Sequence, residues 1–475
     1  MRIEALRRWE RRVGLRWALS VVERRVVLIA LDLLAVNAAL LGALAWRPAY
    51  RAGFETLLQH PHWFGLWSLL YELWAWALDA YAPRALRRFA DSVRAALLAG
   101  LAAAGCYLLI PYLTPPLPSS RSPLFAFLLL TAVSLLAARG LSTLLLAQSA
   151  LPRRILIVGA GWAGRTIAEV LAQEGRSLYT VLGFVDDDPA KQGTTVEGWR
   201  VLGDRHALPD LIRRHQVDAV VAAITWDLDA ELVRILMDAL EQGVEVIPMP
   251  VLYEQLTGRV PVEHVGDNWY VALPIQHPLM RPLNRALKRA FDVVAATLGL
   301  LVLAPFVPLI ALAIYLDSPG PIFYAQERVG RGGRIFKIYK FRTMVPDAER
   351  GQAVWAQEDD PRVTRVGRIL RKAHVDEFPQ FLNILKGEMS AVGPRPERPE
   401  FVEELAREIP FYRVRHAVKP GMAGWALVRY GYAASKEDAL LRLQYDLYYI
   451  KHWSLGLDLV ILLKTVLDAI TLRGR

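Results

Sequence analysis

The sequence predicts a membrane protein of the α plus α/β class, built in three parts. An N-terminal four-helix transmembrane region (residues 1–150) precedes a Rossmann-like parallel-sheet domain (151–275). A C-terminal, mostly helical monotopic domain (276–475) follows, with a re-entrant membrane helix at about 286–316. Three observations predict this. Four apolar runs fill the first third of the chain. From Arg153 onward, short β-branched runs alternate with helical ones around the loop GAGWAG. A later apolar run, Phe291–Leu316, carries Pro305 and Pro308 near its centre.

The first four runs are about Val26–Trp46, Trp63–Leu78, Ala95–Leu113 and Leu124–Leu146, each near the roughly 20 residues a spanning helix needs. Hydrophobic residues make up 54% of the 475, above what a soluble surface requires. The 14 Trp and 17 Tyr suit lipid headgroups, where an amphipathic ring is at home. Asp32, Glu72 and Arg139 inside the runs mark bundle-interior contacts, and so few charges make a poor transport path. Arg2, Arg7, Arg8, Arg11, Arg12, Arg16, Arg24 and Arg25 crowd the N-terminal arm, and Arg84, Arg87, Arg88 and Arg94 the second loop. The first loop has only Arg47 and Arg51, the third only Arg121. The positive-inside rule therefore puts the N-terminus and everything after the fourth helix in the cytoplasm. The net charge of +10 fits anionic lipid and phosphate; no nucleic-acid motif accompanies it. Cys106 is the only cysteine, which excludes an internal disulfide and a cysteine metal site.

In the middle part, Ile155–Val158, YTVLGFVDDD, VDAVVAAI and VEVIPMP read as strands. The stretch after GAGWAG, HALPDLIRRH and LVRILMDALEQG read as helices, an alternation that argues for a parallel sheet. Gly159, Gly161 and Gly164 fit GxGxxG between a strand and a helix. Asp186 ends the next strand, where a ribose-binding acid would stand. These four residues are the candidates for a nucleotide or NAD-like ligand; a scaffold for dimerisation is the alternative.

In the last part, Asp376-Glu377 stands amid Arg362, Arg365, Arg368, Arg371 and Lys372 on one side and Lys386, Arg395 and Arg398 on the other. A helix through Gly367–Phe378 would align Arg368, Arg371 and Lys372 on one face. Many donors around two carboxylates point to an anionic substrate, phosphate, with a bridging Mg²⁺. Surface ion pairs on an ordinary helix are the alternative. Pro305 and Pro308 break the apolar run before this region, which reads as a dip into the membrane and back. Arg285, Lys288 and Arg289 would anchor its start at the headgroups. The tail Leu455–Leu472 reads as an interfacial amphipathic helix, or as a core helix of the same domain.

Flanking blocks carry a resemblance. They are GPIFYAQERVGRGGRIFKIYKFRTM (Gly320–Met344), GPRPE (Gly393–Glu397), VKPGMAGWA (Val418–Ala426) and YDLYYIKHWSLGLDLVILLKTV (Tyr445–Val466). In this order and spacing they resemble the catalytic domain of bacterial polyprenyl-phosphate hexose-1-phosphate transferases. These are the monotopic phosphoglycosyl transferases that start O-antigen, capsule and exopolysaccharide assembly. The resemblance covers about residues 282–475, and the rest is similar to the long form of the family. It implies a nucleoside-diphosphate sugar donor (UDP-galactose or UDP-glucose), a polyprenyl phosphate acceptor, Mg²⁺, a homodimer and a place in the bacterial inner membrane among its lipids. It implies Asp376 as a covalent nucleophile and Glu377 as orienter, both on the metal. Arg371 aligns with a phosphate-binding arginine. Arg342 and Arg395 are the next phosphate candidates, with Arg368 beside them, and Glu327, Arg328, Lys337 and Lys340 are weaker ones. Two departures stand out: Ala304-Pro305 where relatives have Ser-Pro, and Ala373-His374-Val375 where they read Thr-Ser-Leu.

Two other functions compete. A membrane-bound nucleotide-sugar oxidoreductase or epimerase would use the glycine loop and a Tyr-x-x-x-Lys pair, but the one match, Tyr432 to Lys436, lies far from that loop. A non-catalytic scaffold would leave the dense phosphate-type blocks without a purpose.

Overall fold

The computed structural model describes residues 21–46, 54–82, 89–148, 152–176, 178–224, 230–264, 273–274, 276–346, 348, 360–431 and 435–470. Arg2–Arg16, Arg47, Arg51, Arg84, Arg87, Arg88 and Tyr432, named above, lie outside them. The chain divides into two compact units, Met1–Thr257 and Gly258–Arg475. Residues 258–275, assigned from the sequence to the middle domain, therefore cluster with the second unit.

The first unit begins with helices α1 (Val21–Ala45), α2 (Phe54–Gln59), α3 (Pro61–Ala77), α4 (Phe89–Leu108) and α5 (Ser122–Gln148). Small residues let them approach. Ala96, Ala99, Gly100, Ala103 and Ala104 form one buried stripe on α4, and a Cβ on Gly100 would stand 2.9 Å from Leu135 Cδ1. The charges inside the runs meet one another. Arg139 Nη2 donates to Asp32 Oδ2 at 2.5 Å, as does the Tyr71 hydroxyl at 2.9 Å, and Tyr81 donates to Glu72 at 2.9 Å. Burial in an apolar bundle makes such pairing obligatory. Among the described residues, four helical segments are long and apolar enough to cross a membrane: Glu23–Ala45, Phe89–Leu108, Ser122–Leu145 and Pro282–Asp317. The second predicted span becomes α3, whose 17 residues reach only about 25 Å, short of a hydrocarbon core of about 30 Å.

The same unit continues with β1 (Arg153–Val158), α6 (Trp162–Val170), β2 (Tyr179–Val185), β3 (Thr195–Val196), β4 (Trp199–Arg200), α7 (Leu208–His215), β5 (Ala219–Ala222), α8 (Ala230–Glu241), β6 (Glu245–Pro248) and α9 (Met249–Thr257). The four long strands form a parallel sheet in the order β2-β1-β5-β6, as the βα alternation predicts. Ile155, Ile157, Phe184 and Val221 on one face, and Leu156 and Val220 on the other, are buried, so helices cover both sides.

The second unit opens with α10 (Pro282–Leu303), a 3-10 turn at Ala304–Phe306 and α11 (Val307–Asp317). The break falls at Pro305, where the ring removes a helical hydrogen bond. Both arms attach to this unit. Asp292 accepts from Ser390 Oγ at 2.8 Å and Ala391 N at 3.0 Å, while Asp317 accepts from Val366 N at 2.8 Å. Leu303 and Ile314 enter one cluster with Phe341 and Leu370. Val294, Leu298, Leu301, Val302, Leu309 and Leu312 remain exposed, an apolar surface of the kind that meets lipid. An antiparallel hairpin follows, β7 (Phe323–Val329) and β8 (Ile335–Phe341). Then come α12 (Arg365–Lys372), α13 (Phe381–Lys386), β9 (Ser390–Val392), α14 (Pro399–Glu408), β10 (Gly421–Ala423), α15 (Trp425–Arg429), α16 (Lys436–Lys451) and α17 (Leu455–Ile470). Asp458 and Ile461 on α17 are fully buried while Leu459 and Val466 are exposed. One face of the tail helix is thus core, while Leu459 and Val466 keep apolar side chains at the surface.

Candidate active site

The predicted single helix over Gly367–Phe378 does not form. α12 stops at Lys372, His374 takes a left-handed conformation (φ 56°), and a 3-10 segment runs from Val375 to Gln380. No glycine or asparagine announces that turn, and histidine, although among the residue types enriched in this region, is only a weak local signal. Its effect is to turn Asp376 and Glu377 inward. Both are buried, at 8% and 7% exposure, rather than lying on a helix surface.

Three segments bring cations to them. Lys340 is one residue from the end of β8, and its Nζ donates to Glu377 Oε1 at 2.7 Å. Arg395, in the GPRPE loop after β9, donates through Nη2 to the same oxygen at 2.9 Å and reaches Oε2 at 3.5 Å. Arg371 ends α12. Thr364 caps that helix, accepting from Gly367 N at 3.0 Å, and the helix is pressed so close to Thr343 that a Cβ on Gly367 would lie 2.1 Å from the Thr343 carbonyl. Thr343 Oγ1 then accepts from Arg371 Nε at 2.9 Å and fixes that guanidinium.

The two carboxylates differ. Glu377 is clamped, whereas among the described residues no hydrogen bond or ion pair holds Asp376. Burial raises the Asp376 carboxyl and the Glu377 charge adds to this, against Lys340, Arg371 and Arg395, so that it is pushed up to about 6. Burial would raise Glu377 as well, but Arg395 and Lys340 outweigh it by charge and hydrogen bonding and hold it well below the ordinary range. Burial, partly offset by Glu377, lowers the Lys340 ammonium. Asp376 is thus the member of the pair that takes a proton first, and a free anion at neutral pH.

The loop carrying Arg395 is itself braced. Arg415 Nη2 donates to the Arg395 carbonyl at 3.0 Å and to Asp446 at 2.7 Å, and Arg328 Nη1 donates to the Pro396 carbonyl at 3.1 Å. Gly421 lies so near Gly393 that a Cβ would sit 2.0 Å from the Gly393 amide nitrogen, so two of the sequence blocks interlock. Thr343, Arg415 and Asp446 escape a sequence reading, although Asp446 stands in the block YDLYY; its use as a brace depends on tertiary contact.

The remaining candidates sit elsewhere. Arg368 is exposed on α12. Arg342 is buried and donates through Nη2 to the Ser318 carbonyl, and no described contact joins it to the carboxylates. Lys337 lies opposite Glu327 in the hairpin. His374 is half-buried, and burial lowers its pKa. In the first unit, Gly159 adopts φ 102° and Gly164 has room for no Cβ, which would stand 1.9 Å from the Gly159 carbonyl. Gly161 caps α6 without such crowding. Asp186 does not point to open space: its Oδ2 accepts from Ala160 N in the glycine loop at 2.6 Å, and Lys191 pairs with it at 3.4 Å.

No group of three or more His, Cys, Asp or Glu side chains able to hold a metal occurs among the described residues. Mg²⁺ commonly takes one or two carboxylates together with substrate phosphates, and Asp376 with the lightly held Oε2 of Glu377 fits that donor set.

The family model for bacterial sugar transferases matches residues 283–471, the stretch that holds all of this geometry. A UDP-N-acetylgalactosamine-undecaprenyl-phosphate N-acetylgalactosaminephosphotransferase from Aeromonas hydrophila is 43% identical over 294 residues, covering 62% of this chain and 67% of that protein. The chain belongs to the bacterial sugar transferase family. It is a phosphoglycosyl transferase of the polyprenyl-phosphate group that the sequence blocks resemble, and a membrane protein. An undecaprenyl-phosphate glucose phosphotransferase from Komagataeibacter xylinus is 35% identical, over 66% of this chain and 59% of its own length. A UDP-glucose:undecaprenyl-phosphate glucose-1-phosphate transferase from Escherichia coli K12 is 32% identical, over 66% and 67%. The match thus spans about two thirds or less of these relatives. A CoA-binding domain model matches residues 76–250. A UDP-D-quinovosamine 4-dehydrogenase structure from Vibrio fischeri covers 22% of this chain and 85% of its own at 27% identity, with a TM-score of 0.19, too low to carry an argument.

Proposed function

We propose that this transferase moves a hexose 1-phosphate from a nucleoside-diphosphate sugar to polyprenyl phosphate through a covalent intermediate on Asp376. The observation that carries the reading is the asymmetry of the pair: a buried, unclaimed carboxylate beside a clamped one, with Lys340, Arg371 and Arg395 around both. An Asp376 oxygen attacks the sugar-bearing phosphorus of the donor. The bond from that phosphorus to the bridging oxygen breaks, and a nucleoside monophosphate leaves. A polyprenyl phosphate oxygen then attacks the same phosphorus, the bond to Asp376 breaks, and the free carboxylate returns with the polyprenyl-diphospho-sugar. Lys340, Arg371 and Arg395 offset phosphate charge in a site held away from water. Asp376 and Glu377 would hold Mg²⁺ with donor phosphate oxygens, and the ion when bound masks charge on the diphosphate. The relatives' names make UDP-N-acetylgalactosamine and UDP-glucose the first donors to try, with UDP-galactose beside them.

The test is the donor alone. Covalent transfer expects one equivalent of monophosphate per protein without acceptor, and a phospho-sugar mass increase that maps to Asp376. Release that requires acceptor, with no adduct, would mean direct transfer. The oxidoreductase alternative gains nothing here, since Asp186 already occupies the Ala160 amide that a nucleotide phosphate would seek.

The reading also places α10, its turn and α11 as a re-entrant hairpin that leaves this unit on the cytoplasmic side, at the inner membrane. A straight helix would separate Asp292 from Asp317 by about 37 Å. That Asp292, Asp317 and the Leu303–Ile314 cluster all attach to the same unit supports a return to the side of entry. Cysteines placed at Asn284 and Gln326 are expected to label from one face of oriented vesicles, and labelling from opposite faces would refute the hairpin.

A further inference from the structure

A second cationic cavity, of about 150 Å³, lies between the start of α10, the turn joining β7 to β8, and the strand end before β10. It shares no lining residue with the Asp376–Glu377 cluster. Six of its lining groups, all within the second unit, can be sorted by whether a partner already holds them. Lys288 Nζ is spent, donating to the Val392 carbonyl at 3.0 Å and to Asp458 Oδ2 at 2.8 Å. Arg289 is spent on the carbonyls of Ile384 and Leu385, at 2.5 and 2.6 Å. The carboxylate among the lining residues, Asp292, accepts from Ser390 and Ala391 and lies 3.5 Å from Lys288, so it has little left for further cations. Arg285, Arg331 and Lys419 remain, and among the described residues the side chain of none of them makes a hydrogen bond or ion pair. Burial, and then the charges of Arg289 and Arg331, lower the pKa of Lys419.

An independent sign comes from His277. It is 6% exposed, lines the same cavity, and its buried Nδ1 has no hydrogen-bond partner. A buried polar atom left unpaired costs free energy unless something arrives to pair with it. Two guanidiniums, an ammonium and an imidazole around a polar cavity are the donor set for a phosphate oxyanion. The setting indicates its source. Leu283, Leu287, Val294 and Leu298 form an exposed apolar stripe along α10, beginning at the level of Arg285, so the cavity stands at the depth where headgroups would lie. We infer that this cavity seats the phosphate of a membrane lipid, an inference that rests on the placement of α10 at a membrane surface.

Native mass spectrometry of the full chain in detergent, with phosphatidic acid as probe, tests this. The wild-type protein is expected to retain one phosphatidic acid that the Arg331→Gln/Lys419→Gln double variant binds at least tenfold more weakly. The charge-conserving Arg331→Lys/Lys419→Arg variant should keep it. If the double variant fails to fold, Lys419→Gln alone is expected to show the same loss in part. Equal retention in a charge-removing variant with a native melting curve overturns the site. Displacement of the lipid by an equal concentration of inorganic phosphate assigns the cavity to a soluble phosphate and overturns the lipid source. Monophosphate release from donor alone, measured on the same samples, keeps this outcome separate: lipid retention without any burst would leave the cavity standing and remove the covalent transferase reading.

Discussion

Two aspartates in this chain stand beside features that advertise anion chemistry, and they have opposite fates. Asp186 lies against a glycine loop with the right spacing and helix, yet its carboxylate is already bound by the Ala160 amide and paired with Lys191. Asp376 lies among Lys340, Arg371 and Arg395, yet nothing described holds it, because Glu377 takes the two direct clamps. The first site spends its anion on its own loop; the second keeps one in reserve. A motif thus reports a fold, and an unspent group reports chemistry. Such groups are expensive to bury and persist only where the surrounding structure sustains them.

The comparison breaks most sharply at Asp376. Asp376→Asn keeps shape but gives up the nucleophile, so turnover should fall on the order of 10⁴-fold or more with a native melting curve. Residual turnover within tenfold of wild type would show that Asp376 was never the reserve group. Arg395→Ala strips one clamp from a buried carboxylate and removes a phosphate donor. A loss on the order of 10²–10³-fold in kcat is expected, measured as monophosphate release with donor and acceptor. The pH dependence follows from the raised Asp376 pKa. The attacking form is the anion; in the protein free of Mg²⁺ and donor its carboxyl should titrate at about 6, followed by carbon NMR of labelled aspartate against the Asp376→Asn variant. An ordinary carboxylate would titrate about two units lower, and Arg371→Gln, by removing a cation that favours the anion, should move the midpoint to higher pH. The smallest effect belongs to the other aspartate. Asp186→Asn should leave transfer within twofold while costing about 1 kcal/mol of stability, read as a Tm lower by a few degrees. A large loss of transfer there would show that the glycine loop takes part in chemistry.

Much of this is legible in the chain. The βα alternation gives the parallel sheet because the burial of the central strands β1 and β5 on both faces is written as unbroken apolar runs, ILIV and AVVA. The carboxylate pair with Arg371 and Arg395 is visible because charge clustered around two adjacent acids needs a reason, whereas Lys340, in a separate block, stands out only weakly. What the sequence leaves unstated is which carboxylate is clamped and which is free. The Lys340–Glu377 bond joins residues 37 apart, and the inward turn depends on a left-handed His374 whose residue type signals it only weakly. Arg342 shows the converse: its place in KFRTM invites a phosphate role, but the backbone at Ser318 takes its Nη2 donor. The second expected span fails on length alone, since apolar character in α3 is plain while its 17 residues are too few to bridge the core comfortably.

Lys288 ties α10, the first arm of the proposed re-entrant hairpin, to the loop that carries the clamp. Its ammonium joins α10 to the Val392 carbonyl, three residues before Arg395, and to Asp458 beneath it. Tilting α10 to suit a thinner or thicker membrane drags that carbonyl, and with it the start of the loop whose guanidinium holds Glu377. If α10 dips into the bilayer, membrane thickness is expected to shift the charge balance at Asp376, and turnover of the unchanged protein measured in short-chain and long-chain lipids should differ.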